Sequence, residues 1–172
     1  MVKIVQMGDP VLRTVCTPIP ENEIQTPHIQ KLLANLKEAV FSQSDGVAIA
    51  APQISTPLRV FYVAGSVLKK AEPEKHNKEK DDIYFINPTI IKKSRETQVL
   101  EEGCLSIRYL YGKVRRSKKI TIRAYDDRGE LFERGASGLL AQIIQHENDH
   151  LDGILFVDKA IDLEEILPEN NK

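Results

Sequence analysis

His146-Glu147-Asn148-Asp149-His150 sets two histidines four residues apart, with a glutamate directly after the first. On a helix that spacing puts both imidazoles on one face, within reach of a single metal ion. The carboxylate sits beside them, able to accept the proton of an attacking water. The plain alternative is a histidine pair solvated on a helix surface. The surrounding pattern argues against it, because Leu139, Ile143, His146, Glu147 and His150 form one stripe at helical spacing. The histidines therefore extend an apolar face. Burying two imidazoles and a carboxylate together costs desolvation unless they share a strong partner, and a divalent ion is the simplest one.

Two protein ligands rarely hold a catalytic metal. The best third candidate is Cys104, in Glu101-Glu102-Gly103-Cys104-Leu105-Ser106. It follows a strand-like run, Glu96 to Leu100, and a glycine that lets the backbone approach something closely. A thiolate with two imidazoles suits zinc or iron(II) and disfavours magnesium and calcium, which want oxygen ligands. Taken alone, a cysteine is more often a small buried hydrophobe. Cys16, in a turn-rich stretch, is read that way. A zinc peptidase also uses H-E-x-x-H but takes its third ligand downstream, where Glu164, Glu165 and Glu169 are the candidates.

Three segments, taken together, resemble the signatures of the peptide deformylase family. Gly46-Val47-Ala48-Ile49-Ala50-Ala51-Pro52-Gln53 is similar to its first motif. Glu102-Gly103-Cys104-Leu105-Ser106 matches its second in full, and Gln145 to His150 its third. Met7 to Arg13 also resembles the family's opening, and the likeness runs from near residue 4 to near residue 160. The resemblance implies a metal-dependent hydrolase that removes the formyl group from the N-terminal formyl-methionine of newly made bacterial or organellar proteins, releasing formate. It implies one divalent ion per chain held by Cys104, His146 and His150. That ion is generally iron(II) in the cell, with zinc or nickel able to replace it. Glu147 would be the general acid and base, while the Gln53 side-chain amide and the Leu105 backbone N–H would hold the formyl oxygen. Backbone groups of Val47 and Gly103 would pair with the peptide, with Val47, Leu139 and Ile143 lining the methionine pocket.

The chain departs from that pattern at two places. Ala48 replaces the second glycine of the first motif, where its methyl group stands to crowd a substrate strand or to exclude a positive φ. Arg108 stands where many members have proline, and Tyr109-Leu110-Tyr111 follows it. Neither change removes a ligand or the acid/base. They bear on rate and substrate preference, and they motivate a third reading, a non-catalytic formyl-peptide-binding module. Retention of Glu147 speaks against that reading, because binding alone needs no proton carrier.

The elements that must position these residues indicate an α+β fold, a single domain over residues 1–172 with β-sheets packed around the helix that carries H-E-x-x-H. Ser137 and Gly153 read as start and stop of that helix. Thr26-Pro27 reads as the start of another, with Ile29, Leu32, Leu33, Leu36 and Val40 at helical period. Strands are expected at 58–64, 83–91, 118–125, 130–134 and 154–157, with Asp126-Asp127-Arg128-Gly129 as a hairpin turn. Residues 66–82 read as a mobile solvated loop containing an exposed His76, and 161–172 as a short acidic tail.

With 172 residues the chain can bury a full core without disulfides. Its net charge of −1 gives no global argument for binding DNA or an anionic membrane. Two cysteines, one of them better used as a ligand than oxidised, favour a reducing compartment, the cytoplasm or an organelle. No run is apolar enough to span a membrane, and none reads as a secretory signal. A basic cluster between Arg108 and Arg123 is expected on a hairpin. It offers a transient contact with ribosomal RNA, although an acidic tail is unlike the basic helix some relatives use for that purpose.

Overall fold

β-Branched and aromatic runs separated by turn residues divide this chain into strands, and two amphipathic runs form its longer helices. The structure, a computed structural model, describes residues 2–67 and 82–167. Most of the expected 66–82 loop, His76 included, and the last five residues of the tail lie outside the described residues.

Helix α1 (Pro27–Phe41) begins where Thr26 Oγ1 accepts the Ile29 N–H at 3.5 Å. Pro27 follows in the first turn, where a missing N–H costs nothing. Its apolar side, Ile29, Leu32, Leu33, Leu36 and Val40, covers one face of an antiparallel sheet. That sheet contains β1 (Ala48–Ala50), β2 (Val60–Val63), β3 (Ile83–Lys93), β6 (Lys119–Tyr125) and β7 (Leu131–Ser137), in the order β1-β2-β3-β6-β7. The hairpin between β6 and β7 is held by Asp126, whose Oδ1 accepts the N–H groups of Arg128 and Glu130, both at 2.9 Å. A smaller sheet contains β4 (Thr97–Cys104), β5 (Ile107–Ser117) and β8 (Ile161–Glu165), in the order β4-β5-β8.

Helix α2 (Gly138–Leu151) lies between the two sheets. Leu140, Ala141, Ile144 and Leu151 pack on the five-stranded sheet with Phe61, Val63, Phe85 and Ile122. This explains why every residue of β2 is buried, since α1 covers one face and α2 the other. Ser137 occupies the N-cap position, but its side chain makes no capping hydrogen bond. The helix stops at Gly153, which has φ +71° and lies so close to Arg13 that an added Cβ would stand 2.7 Å from its carbonyl oxygen. Only glycine satisfies both conditions.

Three expectations need correction. Residues 154–157 form no strand. Phe156–Asp158 is a 3-10 turn, closed by the Leu155 N–H donating to Asp158 Oδ2 at 2.8 Å. That turn plugs Leu155 and Phe156 into a third core with Leu12, Ile107 and Val114, so burial explains the apolar run that read as a strand. The basic residues from 108 to 123 do not share a hairpin, because β5 and β6 belong to different sheets. Finally, the first part of the expected tail is β8, paired with β5 at Leu110↔Glu165, Tyr111↔Glu164 and Lys113↔Ile161.

Candidate metal centre

Four elements converge on one cleft of about 380 Å³. Its floor is α2, through Leu139, Gln142, Ile143, His146 and Glu147. One wall is the segment Asp45–Ala48 leading into β1, and the other runs from Glu101 through Tyr111 along β4 and β5. β1 and β4 are each the outermost strand of their sheet, so the cleft is bordered by two strand edges. The β4–β5 register shifts between Gly103 and Cys104, an irregularity of the kind that re-aims a strand end.

At the base of the cleft the ligand atoms of Cys104, His146 and His150 all lie within 4.8 Å of one another. Cys104 Sγ is 3.2 Å from His150 Nε2. His146 turns its Nδ1 to Glu102 Oε2 at 2.9 Å, which leaves Nε2 for the cluster. Glu102 is in turn gripped by Arg116, Nε to Oε1 at 2.7 Å and Nη2 to Oε2 at 2.8 Å. The remaining Arg116 nitrogen, Nη1, reaches Asp149 Oδ2 at 2.6 Å. A carboxylate on the far nitrogen of a ligating histidine fixes its tautomer and ring orientation. Burial works against charge on Glu102, but the hydrogen bonds from Arg116 and His146 outweigh it and hold its carboxyl at about 2.

The two imidazoles are held differently. Burial pushes His146 down, yet its bonds to Cys104 and Glu102 prevail and raise it well above the ordinary value. His150 is lowered well below it, by burial first and then by His146 and Arg116. One ring thus favours its proton and the other sheds it. A metal held by both must displace the first ring's proton, so uptake is linked to proton release. Glu147 is buried, and among the described residues nothing hydrogen-bonds its Oε2. Burial is the main reason its carboxyl is pushed up to about 7. A thiolate, two imidazoles and a spare buried carboxylate oxygen are the donor set expected around zinc or iron(II) with one position left for water.

Gln53 is buried in a 3-10 turn, Ala51–Ile54. Its Oε1 accepts the Ala50 N–H at 2.8 Å, so its amide nitrogen points to Ser106 Oγ at 3.1 Å and Cys104 Sγ at 3.5 Å. Leu105 follows Cys104 along the wall. The Val47 side chain is exposed at the cleft, and its carbonyl already accepts from the Ala64 N–H at 2.9 Å. Gly103 does admit a close approach. An added Cβ would stand 2.7 Å from the Tyr111 ring, so the glycine makes room for an aromatic plate. Leu139 is exposed and Ile143 buried in the same floor. Ala48 is extended and paired with Val63, and no positive φ is needed there. Its methyl is buried within the core beneath α2.

Sequence reading missed two residues of this centre. Glu102 counts there only as a motif letter, and Arg116 only as part of a basic cluster. The signal for Arg116 lay in alternation. Gly112, Val114 and Arg116 share the inward side of β5 while Lys113 and Arg115 point away, and a charge in an inward slot demands a buried partner. Gln145 lies outside the cluster and fastens α2 to the Ser117 backbone, donating to its carbonyl at 3.0 Å and accepting its N–H at 3.1 Å. Glu164 and Glu165, the described peptidase candidates, lie exposed on β8 and outside the Cys–His cluster. Other cations of the basic run are paired locally, Lys113 with Asp162, Lys118 with Glu96 and Arg123 with Glu133.

Known proteins are similar to this chain in sequence and in fold. The family described as polypeptide deformylase matches residues 1–165. A peptide deformylase of Carboxydothermus hydrogenoformans is 42% identical over 159 residues, 92% of each chain. A class I type b peptide deformylase of Acinetobacter baumannii, solved with Met-Ala-Ser bound, superposes with a TM-score of 0.80 at 30% identity. The match covers 92% of this chain and 98% of that one. The peptide deformylase of Thermotoga maritima gives 0.79 at 32% identity, over 94% and 98%.

Proposed function

The chain belongs to the polypeptide deformylase family, and from that membership, which makes it a metal-dependent hydrolase of N-formyl-methionine peptides, we propose how its residues divide the work. The whole chain, 1–172, acts as one catalytic domain. Cys104, His146 and His150 hold one divalent ion, iron(II) in the cell and zinc or nickel in protein purified in air. When bound, that ion supplies Lewis acidity, polarising the formyl group and making water nucleophilic near neutral pH.

The observation that carries this reading is the grouping of three ligand atoms within 4.8 Å beside a buried carboxylate oxygen that has no hydrogen-bond partner among the described residues. Glu147 takes a proton from the attacking water and later delivers it to the amine nitrogen as the C–N bond breaks, leaving formate and a free N-terminus. A carboxyl pushed up to about 7 suits both halves of that exchange at neutral pH. Gln53 Nε2 and the Leu105 N–H donate to the oxygen that gains charge, and one such donor is typically worth about 3 kcal/mol of barrier. The peptide enters as an extended strand between Val47 and Gly103, on the edges of β1 and β4. Val47, Leu139 and Ile143 then line the pocket for its methionine side chain, with Ala48 beside the strand and its methyl in the core beneath. A bound Met-Ala-Ser in the Acinetobacter baumannii relative supports a peptide of this kind.

Nascent chains place the enzyme in the cytoplasm or an organelle. Among the described residues no helix is long and apolar enough to cross a membrane. Contact with ribosomal RNA would draw on the outward cations of β5 and β6, Arg115 and Lys119 among them. It would be weak and salt-sensitive, because neighbouring cations already have acidic partners. No specific DNA contact is part of this function.

The decisive experiment measures formate release from formyl-Met peptides by iron(II)-loaded protein prepared without oxygen, beside zinc-loaded and Glu147→Gln samples. Turnover should fall about 10²- to 10⁴-fold in the variant with metal content unchanged. A variant within a few-fold of wild type would remove Glu147 from the mechanism.

A further inference from the structure

We propose that Arg108 is a positioning residue for the substrate, latching the two walls of the cleft at their rim and so setting affinity for peptide residues beyond the formyl-methionine. This rests on the reading of the cleft given above. Arg108 Nη1 lies 2.6 Å from Asp45 Oδ2 and Nη2 lies 3.2 Å from Asp45 Oδ1, a two-pronged pair, while Nη2 also reaches Gln43 Oε1 at 2.7 Å. Arg108 is the second residue of β5. Gln43 and Asp45 lie in the turn before β1, a strand of the five-stranded sheet, whereas β5 belongs to the smaller one. No strand pairing joins them, so these side-chain bonds tie one wall directly to the other.

The backbone around Arg108 is built to hold the latch in place. Tyr109 has φ +68°, a left-handed conformation that residues with a Cβ adopt only at a cost. Its carbonyl is fixed by the Ile166 N–H at 2.8 Å. Tyr111 lays its ring over Gly103, so the wall continues outward as an aromatic surface.

Depth in the cleft assigns the latch its role. Glu147 and Gln53 are buried at the floor, whereas the Arg108 and Asp45 side chains are 26% and 56% exposed. A peptide with its formyl group at the floor must run outward between Val47 and Gly103 and pass the latch with its second and third residues. Walls already held at the right separation need no ordering when that strand enters, and the saving appears as affinity. Formyl-methionine alone does not reach the rim and gains nothing.

The test compares wild type with Arg108→Ala, Asp45→Ala, the double variant and Arg108→Lys, all metal-loaded, on formyl-Met-Ala-Ser and on formyl-methionine alone. For the tripeptide, Arg108→Ala should raise KM about five-fold, as expected for a partly exposed pair, with kcat within about two-fold. KM for formyl-methionine should stay within about two-fold. The double variant should be no worse than either single one, and Arg108→Lys should recover part of the loss. Amide exchange at residues 43–47, measured without substrate, should quicken in Arg108→Ala. Equal KM rises for both substrates, additive single effects or unchanged exchange would each overturn the latch. If wild type released no formate from either substrate, the deformylase reading itself would fail, while the exchange measurement would still decide whether the latch exists.

Discussion

The cleft holds two arginine–carboxylate forks, one at its floor and one at its rim. Arg116 grips Glu102 at 2.7 and 2.8 Å, and Arg108 grips Asp45 at 2.6 and 3.2 Å. Geometry separates them little, but burial separates them sharply. The Arg116 side chain is 4% exposed and its partner 3%, against 26% and 56% at the rim. Removing one partner of a buried pair strands a charge in a poor solvent, whereas a rim charge rehydrates. The same kind of bond therefore serves differently in the two places, holding the His146 ring through Glu102 where water is absent and, on the reading proposed above, setting a wall where it is present.

Breaking the floor fork should have the largest effect. Arg116→Ala should cost about 3–5 kcal/mol in urea unfolding, because Glu102 and Asp149 lose their shared cation. A loss below about 1 kcal/mol would place the two forks on a par and end the comparison. Glu102→Gln is gentler, since an amide oxygen can still accept from His146. Metal affinity should fall about 10- to 100-fold in competition against a chelator, and unchanged affinity would mean that Glu102 does not orient His146.

Acid sharpens the contrast. Glu102 is held at about 2 against an ordinary 4.5, and a depressed carboxyl contributes stability that is present above its unfolded value and lost as pH falls through the folded one. The wild-type urea midpoint should decline between about pH 4.5 and 2, and more steeply than that of Glu102→Gln. Parallel curves would exclude this carboxylate as the cause. The smallest effect belongs to Ala48, on the wall between floor and rim. Its methyl fills core beneath α2, so Ala48→Gly should lower Tm by about 2–4 °C and leave kcat/KM within about two-fold. A clear gain in kcat/KM at unchanged Tm would restore the expectation that this methyl crowds the substrate.

Much of the floor was legible in the sequence, because H-E-x-x-H needs only helical spacing and α2 is one uninterrupted helix. The family resemblance, not periodicity, supplied roles for Gln53 and Leu105, which come from a turn and a strand end far away in the chain. The small sheet was harder to read. β8 is exposed along its whole length, so no alternation marks it, and it exists because β5 offers an edge to pair with. β5 itself hides behind its charges, with Arg116 in a slot where an apolar residue would be expected. The run at 154–157 misled for the opposite reason: Leu155 and Phe156 are buried as firmly as strand residues but find no strand to pair with.

Bordering the cleft with two strand edges has a consequence in time. A strand edge recruits an extended chain by backbone pairing, so a formylated terminus already paired in its own sheet or wound into a helix cannot use these edges. Ribosomes add about 5–20 residues per second, and small domains fold in microseconds to seconds once complete. Each new protein thus offers its first residues to this enzyme only for an interval set by its own folding. Termini that fold early would be expected to keep their formyl group more often than those that fold late.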